Sequence, residues 1–94
     1  MTEGMRPIRV LLADDHSLVR AGICALLGKI PGVEVVAETG DGREIQDLVK
    51  SHSPDVVLLD ISMPLLNGLE VARRLTKETP EVCLVILSMY QNEE

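Results

Sequence analysis

Three aspartates carry the strongest chemical signal in the sequence. Asp14 and Asp15 stand directly behind the apolar run Ile8 to Ala13, and Asp60 stands directly behind the apolar run Val56 to Leu59. If both runs are neighbouring strands of an open parallel sheet, the carboxylates meet at the rim outside the strand ends, where such sheets bind ligands. Three negative charges at one rim repel each other unless a cation offsets them. A small set of oxygen ligands favours magnesium, which keeps several of its waters. A single Asp in such a place reads as a helix cap or loop residue, and so does an isolated Asp-Asp pair. The matching position of Asp60 is what turns the three into a metal site. Ser88 ends a further apolar run on the same rim, where its hydroxyl can donate to an anionic oxygen. The segment Met63, Pro64, Leu65, Leu66, Asn67, Gly68 reads as a loop that brings backbone groups close to the metal.

These residues need elements to position them. Ile8 to Ala13, Val56 to Leu59 and Leu84 to Leu87 are short, branched, nearly continuous apolar runs, which predict strands covered on both faces. Val33 to Ala37 is interrupted by Glu34 and followed by Glu38, which predicts an edge strand with one wetter side. Between them, Leu18, Val19, Gly22, Ile23, Leu26 and Leu27 recur at helical spacing and stop at Gly28, Pro31 and Gly32. Ile45, Leu48 and Val49 predict a second helix, with Asp41 and Glu44 as a capping box. A third helix is expected from Asn67, carrying Leu69, Ala72 and Leu75 inward and ending before Pro80. Strand, helix, strand, helix, strand, helix, strand with short connections implies right-handed crossovers and a parallel sheet.

Composition narrows the function. Ninety-four residues with 46% hydrophobic content suit one core, and no internal repeat suggests a second domain. A net charge of -6 without a Lys/Arg cluster argues against binding of a nucleic-acid backbone by this segment. The apolar runs are strand length, well below the roughly 18 residues of a membrane span, so no membrane contact and a cytoplasmic location are expected. Cys24 and Cys83 lack CxxC spacing or neighbouring ligands and read as two reduced thiols. Tyr90 is the single aromatic residue, so no platform exists for stacking a base or a flavin. His16 adjoins the acidic pair and reads as a solvated residue of the loop or first helical turn. His52, in the polar SHSPD connection, carries no assigned role.

Taken together, IRVLLADDHSLVRAGICALL (8–27), PDVVLLDISMPLLNG (54–68) and Val85 to Ser88 resemble the receiver domain of two-component response regulators, with wording nearest the NarL/FixJ (LuxR-type) branch. The resemblance covers nearly the whole chain. It implies a flavodoxin-like, doubly wound α/β fold with strand order 2-1-3-4 over residues 8–94, behind an N-terminal tail of residues 1–7. Family receivers continue through a further helix, a fifth strand with an essential lysine and a last helix. The resemblance therefore implies a receiver incomplete at its C-terminus, with the fifth strand missing, and Lys29, Lys50 and Lys77 all fall at helix ends or surface positions. By residue, it implies that Asp60 is the phosphoacceptor, that Asp15 ligates Mg2+ directly and Asp14 through water, and that the Ser62 backbone carbonyl completes the protein's share. Ser88 matches the Thr/Ser switch.

The implied phosphoryl donor is a sensor histidine kinase, and the implied output is a transcription regulator with a C-terminal DNA-binding domain. The chain is then not an enzyme beyond its own phosphotransfer and dephosphorylation. A homodimer through the exposed fourth strand, or by exchange of elements, is a further expectation. Three other readings stay open. A receiver that acts by contact alone, without phosphorylation, needs no lysine. A magnesium phosphatase of the haloacid dehalogenase type needs a second Asp two places after its nucleophile, where this chain has Ser62. A flavodoxin-like cofactor binder needs a phosphate-cradling loop after the first strand, where Asp14 and Asp15 repel phosphate.

Overall fold

Branched apolar runs become strands and the patterned segments between them become helices. The computed structural model describes residues 6–60 and 68–87. It forms β1 (Ile8–Ala13), α1 (Ser17–Gly28), β2 (Val33–Thr39), α2 (Ile45–His52), β3 (Val56–Asp60), α3 (Gly68–Glu78) and β4 (Cys83–Leu87). The strands pair in parallel in the order β2-β1-β3-β4, as the sequence implies. Asn67, the expected start of the third helix, lies outside the described residues.

Period-two alternation sorts the sheet into two faces. Leu11 and Ala13 of β1 lie beside Val57 and Leu59 of β3. They cluster with Ile45 and Val49 of α2 and Leu75 of α3, all at most 2% exposed. β1 is buried on both faces from Val10 to Ala13 because it is central and flanked by helices. At the β1–β2 seam the register slips between Val10 and Leu11, so that Val10 faces Val35 but Leu11 faces Ala37. The extra residue in β2 brings Thr39 opposite Ala13, at the rim where the aspartates begin.

Three local expectations are corrected. The apolar stripe of α1 divides. Val19, Ile23 and Leu27, four residues apart, are half-buried, whereas Leu18 is 85% and Leu26 64% exposed, and no α1 residue is fully buried. Two adjacent apolar rows are wider than one sheet face can cover, so one row faces outward. β4 is not covered on both faces but is the exposed strand that the homodimer expectation assumes: Val85 and Ile86 are exposed, and among the described residues β4 is an edge. Its apolar character is therefore not matched by burial. The capping box also takes another form. Asp41 caps a short 3-10 turn, Gly42–Glu44, by accepting from the Arg43 N–H at 2.8 Å. Glu44 does not reach back to the Asp41 N–H. It accepts from the Thr39 hydroxyl, and that oxygen in turn accepts from the Asp41 N–H at 3.0 Å. The buried Thr39 hydroxyl satisfies both groups, donating to Glu44 and accepting from the Asp41 N–H, which is why it becomes the relay.

Candidate metal centre

The site is built from the ends of two adjacent strands and the first residue of a helix entry. Ala13 pairs with Leu59, so the next residue on each strand, Asp14 and Asp60, emerges side by side. Both are fully buried. Backbone pairing continues one step past β1, where the Asp14 N–H donates to the Thr39 carbonyl at 2.9 Å. Asp15 follows with its side chain 24% exposed. His16 is the N-cap of α1, in extended conformation, and its N–H donates to Asp14 Oδ1 at 2.8 Å. An Asp side chain that accepts from the backbone two residues ahead is an Asx turn, which fixes the carboxylate's orientation.

This brings Asp14, Asp15 and Asp60 together as the sequence leads one to expect, and adds His16. One ligand atom from each of these four residues lies within 4.8 Å of all the others. His16 Nδ1 is 3.2 Å from Asp14 Oδ1, 3.1 Å from Asp15 Oδ1 and 3.7 Å from Asp60 Oδ2. The hydrogen bond to Asp14, followed by the charge of Asp15, raises the His16 pKa above its ordinary value. The ring therefore sits inside the acidic cluster, although half its surface reaches solvent. Adjacency in sequence could not show this, because it depends on the turn that Asp14 imposes.

Asp14 Oδ2 and Asp15 Oδ1 are buried and have no hydrogen-bond partner among the described residues; the short approach of Asp15 Oδ1 to His16 lacks hydrogen-bond alignment. Buried carboxylate oxygens without partners are costly. A divalent cation removes that cost, and an all-oxygen set from three carboxylates fits magnesium. Ser62 and Ser88, the other residues expected at the site, lie outside the described residues.

Residues that the sequence reading passed over support the rim from behind. Arg20, one turn into α1, donates through Nη1 to the Asp14 carbonyl at 2.6 Å and through Nε to Glu38 at 3.0 Å. A Cβ on Gly40 would stand 2.7 Å from that Nη1, so a side chain there would require the guanidinium to shift. The i to i+6 spacing from Asp14 to Arg20 has no local signature, and the Glu38 partner comes from another strand. Cys24 and Cys83 are free thiols, as expected. Burial and the nearby Glu38 push the Cys24 thiol up, so it is a weak nucleophile. Among the described residues no helix is long and apolar enough to cross a membrane.

Comparison with known proteins gives a consistent result. The profile of the response regulator receiver domain matches residues 10–94. The transcriptional regulatory protein DegU of Brevibacillus brevis is 41% identical over 86 residues, covering 92% of this chain and 36% of that protein. The response regulator GacA of Pseudomonas aeruginosa is 38% identical over 86 residues, covering 92% of this chain and 40% of that protein. The chain thus spans about two fifths of the length of these curated relatives. Among solved structures, the signal receiver domain of NarL from Mycobacterium tuberculosis superposes with a TM-score of 0.84 at 34% identity, covering 93% of this chain and 70% of that one. The RcsB response regulator of Salmonella typhimurium gives 0.84 at 28% identity, covering 94% and 46%.

Proposed function

The chain belongs to the response regulator receiver family, and from that premise we propose that Asp60 accepts a phosphoryl group beside a magnesium ion. The observation that carries this reading is the convergence of Asp14, Asp15 and Asp60 on one rim, where buried oxygens of Asp14 and Asp15 have no hydrogen-bond partner among the described residues. Asp15 is a direct ligand, Asp14 acts through water, and Asp60 and the Ser62 carbonyl complete the protein's share. The bound ion supplies positive charge against the oxygens of the transferring group.

The chain's own residues do the rest. The Asp60 carboxylate is the nucleophile. Its oxygen forms the new P–O bond as the P–N bond to a phosphohistidine breaks, and the donor nitrogen keeps the electron pair. Burial of Asp60 at the end of a central strand holds it in line and limits water around the acyl phosphate. Ser88 is the switch hydroxyl that bonds a phosphoryl oxygen. The partner is a sensor histidine kinase, the compartment is the cytoplasm, and in the full-length protein the receiver controls a C-terminal DNA-binding domain. A second copy docking on the exposed edge of β4 is the proposed route to a homodimer.

Beryllofluoride with magnesium imitates the acyl phosphate. Saturable binding seen by fluorine NMR, and abolished in Asp60→Asn, is the expected result. Equal binding by Asp60→Asn contradicts the assignment, and no binding by the full-length regulator favours a receiver that acts by contact alone.

A further inference from the structure

Magnesium uses oxygen ligands and gives no role to an imidazole. Nitrogen donors suit zinc and its neighbours among the divalent transition metals. Where four donors surround such an ion at tetrahedral angles, bonds of about 2.0–2.1 Å set neighbouring donors about 3.3 Å apart. The distances from His16 Nδ1 to the carboxylate oxygens of Asp14, Asp15 and Asp60 are 3.2, 3.1 and 3.7 Å, the first two near that spacing, and the four ligand atoms lie within 4.8 Å of one another. Independently, Asp14 is fully buried and its Oδ2 has no hydrogen-bond partner among the described residues. The backbone also presets the histidine, because its N–H is tied to Asp14 Oδ1. Its ring is 54% exposed, which leaves a path for a cation to enter.

We propose that the rim is also a site for a transition cation of the zinc class, held by the carboxylates of Asp14, Asp15 and Asp60 and by Nδ1 of His16. The proposal rests on the reading of this rim as a cation site and goes beyond it by assigning a nitrogen ligand. A zinc-class ion held there excludes magnesium from the shared carboxylates. The site is then selective in the direction opposite to the one its phosphoacceptor role requires.

Calorimetric titration of the chain with Zn2+, and separately with Mg2+, tests this. All samples carry Cys24→Ser and Cys83→Ser, so that thiols contribute nothing. Zn2+ is expected to bind more tightly than Mg2+ and to shift the His16 ring nitrogen resonances as direct ligation does. Removing an outer-shell partner already weakens metal binding about tenfold, so His16→Ala is expected to weaken Zn2+ by at least that factor while leaving Mg2+ nearly unchanged. His16→Asn, a residue favoured at the N-cap, removes the imidazole while its backbone N–H can still donate to Asp14, and the same loss is expected there. Unchanged Zn2+ affinity in both variants, or an unshifted ring, overturns the proposal while intact Mg2+ binding leaves the magnesium reading standing. Failure of the histidine-containing chain to bind either ion overturns both.

Discussion

The guanidinium of Arg20 donates to the backbone carbonyl of Asp14 at 2.6 Å, tying the first helix to the residue where the acidic rim begins. Because Arg20 also holds Glu38, it braces three elements at once. Arg20→Ala is expected to cost about 1 kcal/mol of stability and to weaken Mg2+ binding about tenfold, as loss of outer-shell support does. Gly40→Ala, which crowds the same guanidinium, should move both quantities in the same direction by less. Urea denaturation and calorimetry check this, and unchanged Mg2+ affinity in both variants would show that the brace does not reach the site.

Asp15→Asn separates charge repulsion from metal binding. Without metal, removing one of three clustered carboxylates should leave the melting temperature unchanged or raise it. With Mg2+ at ten times its Kd the unaltered chain gains about 1.4 kcal/mol, and the variant should gain much less. Thermal melts with and without Mg2+ read both effects. A large loss of stability in the metal-free variant contradicts the picture.

The acid limb of stability should report Asp55, at the opposite end of the sheet. The Arg9 N–H and the Arg6 guanidinium hold its carboxyl below the ordinary value. A depressed folded pKa contributes stability that is complete above the unfolded carboxylate range, near pH 4. That contribution fades as pH falls through the folded value. Asp55→Asn is therefore expected to lower the melting temperature at neutral pH, with the deficit shrinking on acidification. A deficit that stays constant from pH 7 to about pH 2 contradicts this role.

Ser53 closes α2 in the left-handed region, at φ 48 and ψ 57, and stands before Pro54, which further restricts it. A side chain in that region costs about 1–2 kcal/mol, so Ser53→Gly is expected to stabilise the fold by about 1 kcal/mol. A lower urea midpoint in the glycine variant would contradict this.

Much of this architecture is legible in the sequence because it depends on short-range pattern. Branched runs fix β1, β2 and β3, and the placement of Asp14 and Asp60 one step past β1 and at the end of β3 follows from strand ends alone. What the pattern cannot carry is competition between partners. Glu44 satisfies the cap rule for the Asp41 N–H, yet the buried Thr39 hydroxyl takes it while accepting from that N–H, which satisfies both groups. The two apolar rows of α1 look equivalent in sequence until one sheet face proves able to cover only one of them. His16 is polar and adjacent to the acidic pair, but its place among three carboxylates follows from the Asx turn at Asp14.

The central claim is that Asp14, Asp15 and Asp60 share one divalent cation. Magnesium titration of the isotopically labelled chain, followed by amide NMR, tests it most directly. The amides at the ends of β1 and β3 should shift together along one binding curve, and Asp60→Asn should weaken the response at Asp14 and Asp15 as well as at its own position. Independent curves at the two strand ends, or a response at Asp14 and Asp15 that is indifferent to Asp60→Asn, would contradict the account.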